Sequence, residues 1–171
     1  SQTAAGRDLG QLCSHHLGLD RAPRKSGVDV LEPMAGHGDH VFAGGGLFQN
    51  LELNDAQNAV LADTNLILAG ALTLGTGTLT TDTNRVILTA GATVSRTNGY
   101  VIGWLQKHVS VATVTNCVFE VGDAAGYAPV AITFTNVTTN ADFVAGVIAG
   151  DHPDILAASV AGVRSVNRYW S

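Results

Sequence analysis

Between Leu47 and about Val111, short apolar pairs recur every six to eight residues, separated by turns rich in Gly, Asn, Asp and Thr. The markers Leu53, Val60, Leu66, Leu72, Leu79, Val86, Val94 and Val101 follow one another too closely for successive hairpins. Within a beat the alternation has period two, as in Leu51-Glu52-Leu53 and Leu72-Thr73-Leu74, so the aliphatic side chains share one face of a strand. Three strand-plus-turn units add up to one coil of about 20 residues, the scale of a parallel β-solenoid rung. Leu53 to Leu72 spans 19 positions and Leu72 to Val94 spans 22. Residues 44–111 are therefore expected to form a short parallel β-solenoid. Asn54-Asp55, Asp63-Thr64-Asn65 and Asp82-Thr83-Asn84 are suited to its corners, because Asn and Asp bond their own backbone and tolerate left-handed geometry.

After Val101 the rhythm changes. Residues 100–110 read as one longer strand, and further strands are expected at 117–121, 130–136 and 143–148. Longer alternating strands with separate loops predict antiparallel pairing, so residues 112–171 form a β-rich cap over an otherwise open edge. The chain is thus all-β. Residues 1–43 have no repeat: a short helix at 8–19 weakened by Gly10 and Gly18, an exposed linker at 21–26, a strand at 28–31 stopped by Pro33, and a glycine-rich loop. This segment is expected to be an arm with little regular structure, able to connect one subunit to the next.

Composition excludes several partners. Only 13% of residues are charged, the net charge is −5, and lysine stands only at positions 25 and 107, which leaves no basic stripe for a phosphate backbone. No apolar run reaches the ~18 residues of a membrane span, and no signal-peptide pattern opens the chain. Nucleic acid and membrane insertion are not expected, and any export signal is expected to have been removed.

The candidate chemistry is sparse. His37, Asp39 and His40 offer two imidazoles and a carboxylate suited to zinc or copper, against the plainer reading of a polar glycine loop. His15 and His16 point to opposite sides of any regular element. Asp55, Asp63 and Asp82 can supply oxygen ligands to calcium if their turns stack, although corner hydrogen bonding explains them without an ion. Asp142, Asp151 and Asp154 contain the makings of a carboxylate pair on a sugar, which would need a separation of roughly 5–10 Å across a groove. Asp151 to Asp154 reads first as a solvated turn. Arg168, Tyr169 and Trp170 can contact a glycan by stacking and hydrogen bonding, or else close the cap as a strand. Cys13 and Cys117 form one disulfide closing a long loop, or remain two unrelated thiols. No nucleophile elbow, phosphate loop or Cys-x-x-Cys is present.

The runs GGGLFQNLELN (44–54), NLILAGALTLGTGTLTTDTNRVILTAGATV (65–94), NGYVIGWLQKHV (98–109), FEVGDAAGYAPVAITF (119–134) and SVNRYWS (165–171) carry a family resemblance. Together they resemble a module of large secreted and surface proteins of Bacteroidetes-like bacteria, which commonly carry a type IX secretion signal at a distant C-terminus. The most specific parts are Phe119-Glu120-Val121-Gly122 with Tyr127 and Pro129, and Val166-Asn167-Arg168-Tyr169-Trp170. The resemblance covers residues 44–171 and implies an extracellular or cell-surface location, with no established catalytic residues. Such chains continue past the Asn-Arg-Tyr-Trp segment, so a processed fragment, a truncated chain or a short member is expected. The function expected is a non-enzymatic structural or adhesive module that self-assembles into a fibre or surface layer, partnered by copies of itself or other cell-surface proteins. The alternative is a carbohydrate-binding or polysaccharide-cleaving module on the same scaffold. No cofactor is expected beyond the calcium just considered.

Overall fold

The computed structural model describes residues 17–18, 28–31, 40–43, 46–158 and 165–171, and every regular element among them is a strand. Strand β1 (Leu17–Gly18) precedes a first coil made of β2 (Val28–Leu31), β3 (His40–Ala43) and β4 (Gly46–Phe48). The second coil holds β5 (Asn50–Asn54), β6 (Ala59–Leu61) and β7 (Leu66–Leu68). In the third, β8 (Ala71–Thr76) leads into β9 (Thr78–Leu88), which bends across two faces. The fourth repeats the pattern with β10 (Thr93–Arg96) and β11 (Tyr100–Val109).

This is a β-solenoid of about four turns. Three parallel sheets run along its axis. The first stacks β2, β5, β8 and β10. The second stacks β1, β3, β6 and the leading halves of β9 and β11; the third stacks β4, β7 and their trailing halves. The rungs begin before residue 44. Strands β2 and β3 belong to the first coil, so the described parts of the segment expected to be an arm are paired within their own chain.

Register explains why the leucines recur. Leu51 pairs with Leu72 and Leu72 with Val94, while Leu53 pairs with Leu74. Paired residues of parallel strands point the same way, so each apolar position stacks on its equivalent one coil later. Leu68, Leu72, Leu74, Val86, Val101 and Leu105 are 0% exposed. Each such burial stabilises by about 1.5–3 kcal/mol.

The corners work differently from the expectation. The side chain of Asn50 accepts from the Ala71 N–H, that of Asn58 from the Thr78 N–H, and that of Asn65 from the Arg85 N–H, at sequence separations of 21, 20 and 20. These asparagines tie one coil to the next instead of bonding only their own turn. Asn58 and Asp82 do hold positive φ, 70° and 48°, as turn residues of their type can.

The cap comprises β12 (Ala112–Phe119), β13 (Val121–Asp123), β14 (Gly126–Tyr127), β15 (Val130–Val137), β16 (Ala141–Ala145), β17 (Val147–Ala149) and β18 (Arg168–Trp170). Strand β13 adds one parallel rung to the second sheet, and β14 turns back on it. On the third sheet β16 pairs antiparallel to β11. Strands β12 and β15 form a separate antiparallel ribbon whose inner residues Phe119, Cys117, Val130 and Ile132 pack on the end of the core. Phe134 of the same ribbon meets Phe143 of β16, with ring centroids 4.5 Å apart. The expected antiparallel cap is therefore present, and it closes the apolar cross-section that the last coil would otherwise expose to water.

Candidate functional site

The capped end gathers the described chain's most developed polar chemistry, and the stacking register shows how it arises. One inward column runs Phe48, Leu68, Leu88 and then Lys107. A second runs Leu53, Leu74 and then Arg96. In both, the last coil places a cation where earlier coils place an aliphatic side chain.

Neither cation is left without partners. The Lys107 ammonium donates to the Val118 carbonyl and to Glu120 Oε2, the latter at 2.7 Å, and lies 5.7 Å from the Phe119 ring centroid. Arg96 lies 3.6 Å over the Tyr127 ring and donates to the carbonyls of Gly99 and Asn98. Charge-assisted hydrogen bonds and ring contacts of this kind offset the cost of drawing a cation partly out of water.

Beside Lys107 lies a cleft of about 270 Å³ bordered by Leu88, Ala92, His108, Ser110, Asn116 and Cys117. Its components do not converge on catalysis. Burial pushes the Cys117 thiol above its ordinary value, with Glu120 reinforcing and Lys107 opposing the shift, so the thiolate that would act as nucleophile is disfavoured. Along β11 the faces alternate: Lys107 points inward and His108 outward, where His108 Nδ1 meets Asp142 Oδ1 at 2.9 Å. The imidazole–carboxylate pair and the thiol thus belong to opposite sides of one strand.

The two most specific stretches of the sequence resemblance are joined here. Asp123 is 6% exposed; its Oδ1 accepts from the N–H groups of Ala125 and Gly126, and its Oδ2 lies 3.3 Å from Arg168 Nε. Trp170 donates its indole N–H to the Ala128 carbonyl at 3.0 Å. Tyr169 makes an edge contact with the His152 ring, centroids 4.9 Å apart. Arg168, Tyr169 and Trp170 form β18, paired on β17, so their described contacts are those of a closing strand.

The remaining candidates are dispersed. His37, Asp39 and Cys13 lie outside the described residues. His40 is engaged by Asp55, with Nε2 to Oδ2 2.6 Å. Asp55 sits at the corner between β5 and β6, whereas Asp63 and Asp82 sit between the second and third sheets. Among the described residues, no group of three or more His, Cys, Asp or Glu side chains is placed to hold a metal ion. Asp142 bonds His108, Asp151 accepts from Ser165, and Asp154 lies in the exposed turn after Gly150, its N–H donated to His152 Nδ1. Among the described residues no helix is long and apolar enough to cross a membrane.

Asp55 is the most informative of these residues. It is 1% exposed, its Oδ1 accepts from the Gln57 N–H at 2.9 Å, and that bond, followed by His40, holds the carboxyl below its ordinary 3.8 despite opposing desolvation. A carboxylate whose folded pKa is depressed adds stability above the unfolded value and loses it as pH falls through the folded one. Asp55→Asn is expected to cost about 2 kcal/mol at neutral pH, from weakened charge-assisted bonds at a buried corner. In urea titrations that gap between wild type and variant should hold above about pH 5 and shrink as pH falls below 3.8. A gap independent of pH would show that the ionised carboxylate is not the stabilising species.

Sequence reading missed the roles of Arg96, Lys107 and Asp123. The signal was available only for the first two: once the coils are aligned at their true length, a cation stands in each aliphatic column. Comparison with protein-family models, curated proteins and solved structures finds no match to this chain.

Proposed function

We propose that the chain is a non-enzymatic structural or adhesive module displayed outside the cell, of the kind that large type IX-secreted surface proteins carry. The observation that supports this most is where the polar side chains spend their hydrogen bonds. Asn50, Asn58 and Asn65 link successive coils, and Lys107–Glu120 and Arg168–Asp123 fasten the cap. Bonds repeated along the axis resist extension and local unfolding, which is what a load-bearing or display scaffold requires. Its partners on this reading are other copies of itself or neighbouring surface proteins, and the module needs no cofactor. Negative-stain electron microscopy of native protein from the cell exterior or culture fluid tests it, paired with assays for release of reducing ends from acidic and neutral polysaccharides. Regular filaments or sheets without sugar release are expected. Depolymerisation of any polysaccharide by the purified chain would overturn the non-enzymatic reading.

A glycan-binding reading has one observation in its favour. The outward face of the third sheet presents Trp104 beside Arg85, whose Nη1 lies 3.4 Å from Gln106 Oε1, with the His108–Asp142 pair two residues further along β11. A ring with adjacent planar hydrogen-bonding groups suits a pyranose. Retention on a glycan array that disappears in Trp104→Ala would favour this alternative.

A further inference from the structure

The described strand edges of this protein are short or charged, with one exception. Strand β10 has four residues and ends in Arg96, β14 has two, and β18 has three and contains Arg168. Strand β16 has five and carries Asp142. Short length and charge are the ordinary means by which sheets avoid recruiting another chain. The ribbon has neither: β12 and β15 are eight residues each, ATVTNCVF and VAITFTNV, with no charge and no proline.

The two edges of the ribbon are not equivalent. On β12 the Val118 carbonyl is taken by Lys107, and just before the strand the Val111 N–H is taken by Asn140 Oδ1. On the outer face next to it, Val114 is 59% and Val118 41% exposed, an apolar patch beside the backbone. Strand β15 pairs with β12 alone among the described residues, and its Ala131, Thr133 and Thr135 are exposed.

We propose that the free edge of β15 pairs antiparallel with the same edge of a second copy of this chain, about a two-fold axis, giving a continuous four-stranded sheet. Charge selects this partner. With a net charge of −5, two copies repel over most of their surfaces, and the neutral ribbon is where approach costs least. An isologous contact sets each edge against itself, which a row of Ala and Thr tolerates and a row of like charges would not. The inference deepens the module reading, on which it rests for the relevance of assembly, and names the surface involved.

Sedimentation equilibrium of the full chain from about 1 to 100 µM, the range set by the micromolar affinities common for modest interfaces, tests it. The expected mass rises towards twice 17.6 kDa. The double variant Ala131→Arg, Thr135→Arg, at two exposed positions, should retain the unfolding midpoint and sediment at 17.6 kDa throughout. Hydrogen exchange of the wild type, which needs no variant to fold, should show amides of β15 slowing with concentration. A wild type that stays monomeric overturns the proposal, as does a dimer that the double variant leaves intact or one that protects a different segment. A monomer that instead binds an unrelated extended peptide along β15 overturns it in favour of strand donation by another protein. A two-fold contact closes on itself, so it makes dimers and no filament. Dimers without higher assemblies would therefore sink the fibre reading and keep this one, whereas filaments persisting in the double variant would do the reverse.

Discussion

Leu72→Ala is expected to lower the free energy of unfolding by about 4 kcal/mol, near the upper part of the range for buried leucine truncations. Leu72 is 0% exposed and stands in the middle of its column, with Leu51 on one side in register and Val94 on the other. Removing its branched end opens a cavity whose walls are fixed by backbone ladders above and below, so little collapse can refill the space. The transfer loss and the cavity cost therefore add. Val94→Ala, at a half-buried position in the last coil, provides the contrast and should cost about 1 kcal/mol, because solvent or the ribbon can close in. Equilibrium urea unfolding of the two variants checks both numbers. Equal losses would mean that the stack does not concentrate stability in its central coils.

Gly77→Val should be nearly as damaging, at about 3 kcal/mol. Gly77 joins β8 to the leading half of β9 with φ of +78°, and a Cβ built there would stand 2.0 Å from the Asp55 carbonyl oxygen of the coil below. Two costs combine: the left-handed backbone, about 1–2 kcal/mol for an L side chain, and a clash with main chain that no rotamer change relieves. Gly91 separates them, since its φ is +82° but nothing lies within 4 Å of its would-be Cβ. Gly91→Val should show only the backbone cost. Comparable unfolding midpoints for the two variants would show that the coil spacing relaxes around Gly77.

The solenoid was legible in the sequence because its core is made by repetition. A leucine one coil away from another leucine is a local statement that periodicity can carry, and pairs such as Leu72 with Val94 follow from it. The first coil was not legible, because residues 28–43 lack a regular beat and β2 and β3 owe their place to pairing with β5 and β6. A strand recruited by its neighbours leaves no period of its own. The cap was legible as antiparallel strands but not in its pairing: β12 joins β15 across the intervening β13 and β14, a choice set by packing on the core end. The candidate residues divide in the same way. Asp55 was correctly placed at a corner, but its partner His40 lies in the preceding coil, so their 2.6 Å contact depends on stacking and not on spacing within the His37–His40 cluster.

The cations that end the Leu53–Leu74 and Leu68–Leu88 columns also bear on how long such a rod can be. Arg96 and Lys107 act only on the ribbon and turns that follow them, through Tyr127, Val118 and Glu120. Nothing in that closure consults the number of coils beneath it. Rod length is thus a free parameter of the design: a gene duplication that copies one whole coil upstream would lengthen the molecule by one strand spacing, roughly 4.8 Å, and leave the lid's chemistry untouched. A duplication that included either cation would bury a charge between two aliphatic layers and be eliminated. Lineages carrying this architecture can therefore vary their reach in whole-coil steps from one side only.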